Sequence, residues 1–388
     1  MVRRPALSPR LQGLGTSIFA EMSALASATG AINLGQGFPD EDGPTEVTDA
    51  AVAAIRAGQN QYPPGLGIEP LRRAIAEHQQ RFWGLRFDPD TEVLVTTGAT
   101  EAIAAAVLAL CDPGDEVLAI EPTFDSYPAV AALAGARLRP VALVPPAYDA
   151  DVQALAALVT DRTRVVLLNT PHNPTGKVFS GDELAAIAEL CVERDLIAVT
   201  DEVYEHLVFD GSHRPLATFP GMAERTLTIS SAGKTFSVTG WKIGWVCGPP
   251  ALVAAVRTAK QFLTYVSGAP FQPAVAVGLG LGDEFFAELA SGLRAKRDLL
   301  CEGLRAAGFE VFVPQGTYFA TVDIRPLGGT DGLEFCRSLP DRCGVVAVPS
   351  SVFYEDPADG RHLVRFAFCK RTEVLAEAAE RLAALRRG

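Results

Sequence analysis

From about residue 47 to residue 275 the chain alternates short apolar runs, rich in β-branched residues, with longer alanine-rich stretches. The short runs predict strands at 92–97, 116–121, 138–144, 164–169, 196–200 and 226–230. The stretches between them have the apolar spacing of amphipathic helices, at 100–111, 127–135, 151–159 and 182–194. Strands and helices that alternate in this way predict an α/β fold with a mostly parallel sheet covered on both faces.

The pattern changes after residue 271, where the helices lengthen. A helix is predicted at 285–307, followed by strands at 310–313, 317–323 and 362–369 and a last helix at 372–386. This second pattern is typical of a smaller α+β domain. We therefore predict a large domain over residues 46–275, and a small domain formed by an N-terminal arm within residues 1–45 together with residues 276–388.

The composition limits the class of protein. The chain has 388 residues, 48% of them hydrophobic, and a net charge of −12, which argues against nucleic acid or anionic membranes as partners. It has no apolar run of about 18 residues that would span a membrane, and its basic N-terminus is not followed by the apolar core of a secretory signal. The seven cysteines lack C-x-x-C spacing and a partner histidine cluster. We expect a cytoplasmic protein with reduced cysteines and no metal site.

Lys234 is the most informative candidate for chemistry. It follows the predicted strand 226–230 after small hydroxyl residues, and α/β proteins build ligand sites at such strand ends. An amine there can form a Schiff base with a carbonyl compound, including pyridoxal 5′-phosphate (PLP). Asp201, 33 residues upstream, closes another predicted strand. A carboxylate at that place could pair with the protonated pyridine nitrogen of PLP.

A phosphate site is predicted where the chain passes from strand to helix through Gly98. Free N–H groups at a helix start bind a phosphate dianion, although Thr97 or Thr100 could instead cap the helix locally. Ser231 and Lys242 lie on either side of Lys234 and could add a hydroxyl and a cation. The spacing from Ser231 to Lys234 also fits the S-x-x-K motif of serine acyl-transferases, but the S-D-N and K-T-G partners of that motif are missing.

Two further polar positions have alternative interpretations. Asn173 follows the strand that ends at Asn169; it either forms part of a turn or donates its amide to the phenolic oxygen of the cofactor, and its neighbour His172 is expected to be a structural hydrogen bonder. Arg365 lies within an apolar strand. A buried guanidinium needs an anionic partner, which would be either a substrate carboxylate or an internal Asp or Glu.

Seven motifs occur along the chain in a fixed order. They are Gly-Gln-Gly-Phe-Pro-Asp (35–40), Asn-Gln-Tyr (60–62), Gly-Ala-Thr-Glu-Ala (98–102), Asn-Pro-Thr-Gly (173–176), Asp-Glu-Val-Tyr (201–204), Ser-Ser-Ala-Gly-Lys-Thr-Phe-Ser-Val-Thr-Gly-Trp-Lys (230–242) and Val-Arg-Phe (364–366). From about residue 12 to the C-terminus, this order resembles the fold-type I, class I and II PLP-dependent aminotransferases. Within them the first motif resembles the kynurenine aminotransferase/glutamine transaminase K subgroup. Segments 19–26, 61–65 and 268–275 resemble actinobacterial N-succinyldiaminopimelate aminotransferases.

The resemblance implies a large PLP-binding domain with a mostly parallel seven-stranded sheet flanked by helices. It also implies that Lys234 holds PLP covalently and moves the substrate proton. Asp201 would keep the pyridine nitrogen protonated, with Tyr204 and Asn173 bound to the phenolic oxygen and Phe124 stacked on the ring. The implied phosphate ligands are Gly98, Ala99, Thr100, Ser231 and Lys242, joined by Tyr62 from the other subunit of a homodimer. The implied substrate residues are Arg365, Asn169, Gly37 and Phe19.

The implied reaction moves an amino group from an L-amino acid to a 2-oxo acid such as 2-oxoglutarate, in amino-acid metabolism. Ser267-Gly268 stands where the kynurenine enzymes have an aromatic–histidine pair, and Phe19 stands where they have tryptophan. We therefore expect a wider space and a long acidic donor such as N-succinyl-L,L-diaminopimelate, an intermediate of lysine biosynthesis, with Lys260 as the nearest cation for its distal carboxylate. The alternatives are a kynurenine, glutamine, aromatic or methionine aminotransferase and a cysteine-S-conjugate β-lyase. A PLP-sensing regulator would need a DNA-binding domain and a basic surface, which the sequence lacks.

Overall fold

The structure is a computed structural model, and it describes residues 7–12, 15 and 17–386. Residues 1–6, 13, 14 and 16 of the predicted N-terminal arm, and residues 387 and 388, lie outside the described part. Within the described residues, none of the helices combines the length and the apolar character needed to cross a membrane.

The α-helices are numbered in chain order. They are α1 (Ile18–Thr29), α2 (Thr45–Arg56), α3 (Glu69–Trp83), α4 (Gly98–Leu110), α5 (Ser126–Ala134), α6 (Val152–Ala157), α7 (Gly181–Glu193), α8 (Ala232–Thr235), α9 (Pro250–Lys260), α10 (Phe271–Leu279), α11 (Asp283–Ala306), α12 (Gly332–Cys343) and α13 (Thr372–Leu382). Short 3₁₀ turns add to them, one of which, Ala383–Arg386, continues the last helix.

The strands are numbered in the same way. They are β1 (Ile32–Asn33), β2 (Val93–Thr96), β3 (Glu116–Glu121), β4 (Arg137–Ala142), β5 (Thr163–Asn169), β6 (Ile197–Asp201), β7 (Thr226–Ser231), β8 (Gly244–Cys247), β9 (Glu310–Phe312), β10 (Phe319–Asp323), β11 (Val345–Val346), β12 (Val348–Pro349) and β13 (Leu363–Ala367). The predicted strands and helices thus recur with bounds that differ by a few residues.

Seven strands form the main sheet, in the order β2-β8-β7-β6-β5-β3-β4. The pairs from β7 through β4 are all parallel, whereas β8 runs antiparallel to both of its neighbours. The predicted α/β fold with a mostly parallel seven-stranded sheet is therefore confirmed. Strand β8 was not predicted, because four residues that begin with glycine give too short an apolar run to distinguish from a loop.

Both faces of the main sheet are buried, and the apolar run at 165–168 in β5 shows the consequence for the sequence. Val165 and Leu167 pack on the face covered by α4, α5 and α9, whereas Val166 and Leu168 pack on the opposite face against α7. Successive residues of a strand point to opposite faces, so a strand covered on both sides needs a continuous apolar run. Asn169 and Asp201, which face the candidate site, end β5 and β6.

A second sheet of four antiparallel strands, in the order β12-β13-β10-β9, packs with α11, α12 and α13. Helix α1 contributes Met22 and Ala26 to the same core, and β1 pairs in parallel with β11. The N-terminal segment thus packs with the C-terminal part of the chain. The boundaries at residues 45/46 and 275/276 stay a prediction.

The backbone of β8 packs directly on the first turn of α4. A methyl group added at Gly244 would lie 2.6 Å from the carbonyl carbon of Gly98 and 2.8 Å from the nitrogen of Ala99. Real side chains do not approach backbone atoms so closely, so only glycine lets strand and helix meet here. This contact fixes the position of the N-terminus of α4 relative to β7 and β8.

We predict that Gly244→Ala lowers the free energy of unfolding by about 1–3 kcal/mol, because it overpacks backbone against backbone. Urea unfolding followed by circular dichroism measures the change. Gly240→Ala is the matched control, since apart from its two chain neighbours no described residue has a heavy atom within 4 Å of a methyl group placed there. Equal stability of the two variants would show that β8 and α4 are not tightly packed.

Candidate active site

A cavity of about 230 Å³ opens at the carboxyl ends of β5, β6 and β7, next to the start of α4. Several of its lining residues were proposed from the sequence: Gly98, Ala99, Thr100, Phe124, Asn169, Asn173, Asp201, Tyr204, Ser231, Lys234 and Lys242. These residues come from distant parts of the chain, and the parallel sheet brings them together.

Lys234 lies on α8, immediately after β7, with its amine inside the protein. Its Nζ is 5.9 Å from the ring centre of Tyr204 and 5.8 Å from that of Tyr318. Burial lowers the pKa of Lys234, and the positive charges of Lys242 and Arg365 lower it further, against the opposing effects of Cys369 and Asp201. A lowered pKa increases the fraction of neutral amine, which is the form that attacks a carbonyl carbon.

Asp201 is the last residue of β6 and is buried. Its Oδ2 accepts a hydrogen bond of 2.7 Å from the hydroxyl of Tyr127, and its backbone oxygen accepts one of 2.9 Å from Nδ2 of Asn169. Burial raises the pKa of Asp201, whereas the bonds from Tyr127 and the Val203 N–H oppose that rise. A carboxylate in this position favours a cationic ligand group, because a buried charge needs a partner.

The N-terminus of α4 provides a site for an anion beside Lys234 and Asp201. In the described part of the chain no side chain caps this helix; the hydroxyl of Thr97 instead contacts that of Ser267, 2.9 Å away. The alternative of a local cap by Thr97 therefore does not apply. The end of the Lys242 side chain lies beside Gly98, since a methyl group at Gly98 would be 3.3 Å from Lys242 Nζ. Helix N–H groups and an ammonium thus face the same end of the cavity.

Hydrogen bonds link Asn169 and Asn173 to Arg365. Oδ1 of Asn169 accepts from the backbone N–H of Asn173 at 2.7 Å, and Oδ1 of Asn173 accepts from Nη1 of Arg365 at 3.0 Å. Because the oxygen of the Asn173 amide faces Arg365, its nitrogen is the end that can donate into the cavity. This orientation matches the donor role suggested for Asn173.

Arg365, on β13, is a buried cation without an ion pair in the described chain. Nη2 donates to the carbonyl of Gly35 at 3.0 Å; within residues 7–12, 15 and 17–386, Nε has no partner and no carboxylate lies within 4.0 Å. The guanidinium lies 3.9 Å from the ring centre of Phe319 and 5.1 Å from that of Phe19. Burial lowers the pKa of Arg365 to about 10, so it is still charged at neutral pH. Within the described chain, Arg365 therefore lacks the internal Asp or Glu partner considered above. Its guanidinium can instead bind a carboxylate from outside the protein.

Gly37 lies in the loop that borders this carboxylate site. Its carbonyl accepts a hydrogen bond of 2.7 Å from the hydroxyl of Tyr318, and a side chain at position 37 would collide with the ring of Phe319. Glycine therefore lets the backbone pass close to the aromatic residues that surround Arg365. The predicted role of Gly37 in binding substrate stays a prediction.

Tyr62 does not reach the cavity of its own chain. Its side chain is 83% exposed and packs edge-on against Tyr265, with 5.9 Å between ring centres. This placement leaves the side chain of Tyr62 accessible to a second subunit, and its role there stays a prediction.

Two predictions about the substrate pocket, a cation at Lys260 and open space at Gly268, are wrong within the described chain. Lys260 is buried, and its amine donates to the carbonyls of Tyr265 at 2.7 Å and Gly65 at 3.3 Å, so it holds two loops together instead of facing a ligand. Position 268 does not open a space either, because the side chain of Ile243 fills it. Sequence distance from Lys234 could not reveal either packing arrangement.

Sequence reasoning missed six residues that line the cavity: Ile103, Tyr127, Val203, Gly233, Thr239 and Ile243. Tyr127 could have been found, because it lies three residues after Phe124 where a helix begins, so the two side chains lie on adjacent positions of one turn. The apolar members carry no chemical signal, and their position follows only from the fold.

A buried cluster of His78, Glu205 and His206 lies apart from the cavity lining. Its possible ligand atoms lie within 4.8 Å of one another, but the Nε2 atoms of the two histidines are only 2.7 Å apart. Two nitrogen ligands of a tetrahedral zinc ion would be about 3.3 Å apart, so this contact is a hydrogen bond. Glu205 accepts bonds of 2.6 Å from Trp83 and from Ser230. The cluster is a buried polar network, and burial lowers the pKa of His78 to about 3.

Comparison with known proteins identifies the same family over most of the chain. The family described as aminotransferase class I and II matches residues 29–382. A protein named probable N-succinyldiaminopimelate aminotransferase DapC, from Mycobacterium tuberculosis, is 58% identical and covers 97% of this chain and 98% of its own. Methionine aminotransferase of Escherichia coli is 41% identical, with 96% and 97% covered. The solved structure of N-succinyldiaminopimelate aminotransferase from Mycobacterium tuberculosis has a TM-score of 0.96, at 58% identity, covering 98% of this chain and 100% of that one. The family resemblance seen in the motifs is confirmed.

The unpaired guanidinium of Arg365 predicts that small carboxylates stabilise the protein. At about 100 times its Kd, succinate should add about 2.7 kcal/mol to the free energy of unfolding and raise the Tm. Arg365→Lys should lose most of this shift, because an ammonium cannot make the bidentate contact. Arg297→Lys is the control, since Arg297 is also buried but is paired with Asp210 at 2.6 Å. An unchanged succinate shift in Arg365→Lys would place the anion elsewhere.

Proposed function

The chain belongs to the class I and II aminotransferases, and on that premise we propose that its cavity holds PLP and that it transfers the amino group of N-succinyl-L,L-diaminopimelate to 2-oxoglutarate. The observation that carries the cofactor proposal is the convergence of a buried amine, a buried carboxylate and a helix N-terminus on one cavity of about 230 Å³. The substrate proposal rests on the relative that is 58% identical over nearly the full length of both chains.

The cavity residues match the parts of PLP in kind. The aldehyde requires an amine, which Lys234 supplies, and the phosphate requires N–H donors and a cation, which the start of α4 and Lys242 supply. The pyridine nitrogen requires an anionic partner, and Asp201 has no cationic side chain bound to it in the described chain. Phe124 would cover one face of the ring, with Asn173 and Tyr204 near its phenolic oxygen.

When bound, PLP supplies an electron sink that stabilises negative charge at the Cα of the amino acid. Lys234 Nζ would take the proton from Cα, and it is suited to this because burial lowers its pKa. Asp201 would hold a proton at the pyridine nitrogen. Tyr204 and Asn173 would stabilise the charge on the phenolic oxygen through hydrogen bonds, and the walls of the cavity would exclude water from the reacting atoms.

Arg365 would bind the α-carboxylate of the substrate through Nε and one Nη. Its remaining bonds to Asn173 and Gly35, each 3.0 Å long, hold the guanidinium plane in place before the ligand arrives. Asn173 touches both this cation and the cofactor cavity, so the substrate and the ring would be positioned by one connected set of bonds. The same Arg365 contact would serve the amino donor and the 2-oxo acid in turn.

A homodimer is the proposed assembly, in which Tyr62 would complete the phosphate site of the other subunit. The supporting feature is an apolar surface formed by Tyr62, Phe262, Leu263 and Tyr265, whose exposed fractions are 83%, 83%, 48% and 49%. Apolar clusters of this kind are typical of protein–protein contacts. The edge-on contact between the rings of Tyr62 and Tyr265 holds two parts of this surface together.

We predict that Phe262→Glu produces monomers and lowers kcat/KM by more than tenfold, because it places a charge in the apolar contact and removes the second subunit. Light scattering combined with activity at the same concentration measures both effects. Val144→Glu is the control, because Val144 is 67% exposed but lies outside this surface. A fully active wild-type monomer would contradict the proposed dimer.

For the substrate we predict that kcat/KM for N-succinyl-L,L-diaminopimelate exceeds that for L-methionine and L-kynurenine by at least tenfold, with 2-oxoglutarate as acceptor. Phe19 stands in place of a larger tryptophan. Burial against a large ring provides about 1.5–3 kcal/mol, and the smaller ring of Phe19 provides less of it. Aromatic donors are therefore disfavoured. Steady-state kinetics of the purified holoenzyme decide this. Faster turnover of methionine or kynurenine would overturn the assignment, and pyruvate released from a cysteine S-conjugate would reveal β-lyase activity.

A further inference from the structure

The hydroxyl of Tyr127 has a defined partner in the candidate site. Tyr127 lies in the first turn of α5, is 3% exposed, and donates its hydroxyl to Oδ2 of Asp201 over 2.7 Å. Its ring packs edge-on against Phe124, with 5.9 Å between ring centres. Packing on one side and a hydrogen bond on the other fix the phenol, so its direction is set by the fold.

We propose that Tyr127 is a positioning residue that keeps the Asp201 carboxylate oriented and ionised opposite the pyridine nitrogen of PLP. The inference rests on the proposed function, because it concerns the proton shared between Asp201 and that nitrogen. Tyr127 acts through Asp201 and takes no part in the chemistry itself.

The other groups around Asp201 do not orient its carboxylate as Tyr127 does. Glu202, which follows β6, is a like charge, but its two oxygens are bound to His213 at 2.8 Å and to Thr200 at 2.8 Å. From α8, Lys234 contributes positive charge without bonding to Asp201. The backbone N–H of Val203 is a long contact of 3.4 Å to Oδ1. Tyr127 is therefore the one side chain of the described residues that donates a short bond to the carboxylate.

The direction of the effect follows from the form of Asp201 that this bond favours. A phenol donates to the ionised carboxylate, and bonds to charged acceptors change an equilibrium by roughly tenfold to a hundredfold. Burial raises the pKa of Asp201, and the bond from Tyr127 opposes that rise. Without it, the proton would move from the pyridine nitrogen toward Asp201, and the ring would withdraw fewer electrons from Cα. Burial also raises the pKa of Tyr127 far above its ordinary value, so the phenol stays a neutral donor.

The test is Tyr127→Phe, reconstituted with PLP labelled with ¹⁵N at the pyridine nitrogen. We expect the ¹⁵N resonance to move from the protonated toward the unprotonated range. We also expect kcat to fall about tenfold or more, with a much smaller change in KM for the amino donor and in the Kd of PLP. The variant keeps the ring that packs on Phe124, and circular dichroism checks that it is folded.

Tyr148→Phe is the matched control. Tyr148 is also buried, with 4% exposure, but its hydroxyl has no hydrogen-bond partner among the described residues, and it lies in a different apolar core. This control should retain the ¹⁵N resonance and the kcat of the wild type. A shift of the resonance in both variants would indicate a general loss of packing and would contradict the specific role of Tyr127.

The outcomes separate this inference from the proposed function. If wild-type protein fails to bind PLP, or binds it with an unprotonated pyridine nitrogen, the proposed site is wrong. If the wild type binds PLP with a protonated nitrogen and Tyr127→Phe gives the same resonance, only the role of Tyr127 is wrong. A fall in kcat with an unchanged resonance would likewise assign Tyr127 a purely structural part.

Discussion

The parallel pairing of β5, β6 and β7 is the constraint on which the site depends. Asn169 lies opposite Asp201 in the register of β5 and β6, and Asp201 lies opposite Ile229 in that of β6 and β7. Because all three strands end at one edge, the residues that follow them converge there, including Lys234. A shift of one residue in this register would turn Asp201 into the apolar core and abolish the arrangement.

The buried ionisable groups of the site also lower the stability of the folded protein. Asp201, Lys234 and Arg365 lie in the protein interior, and none of them forms an ion pair within the described chain. Isolated buried charges are unfavourable unless a partner compensates them. Ligands that bring a cationic ring nitrogen, an aldehyde and a carboxylate would supply those partners, so binding and stability are coupled. The rigid sheet around the cavity allows the protein to hold these charges in position.

The sequence predicts this fold and site to the extent that local patterns carry the information. Apolar runs located β3, β5, β6 and β7, and residue chemistry together with family resemblance identified Lys234, Asp201 and Arg365. Prediction from the sequence failed where the surroundings of a residue depend on packing between distant segments of the chain. Lys260 bonds two loop carbonyls, Ile243 occupies the space at Gly268, and four-residue β8 has too few residues to show a period. Tyr127 was missed because its importance comes from one bond across 74 residues.

The most direct test of the central claim, that this cavity holds PLP on Lys234, is reduction of the holoenzyme with borohydride followed by peptide mapping. Reduction fixes the cofactor to the amine that carries it. The account predicts one label per chain, on the peptide that contains Lys234, and loss of that label in Lys234→Ala. A label on Lys242 or another lysine with Lys234 unmodified, or no label on a protein saturated with PLP, would contradict it.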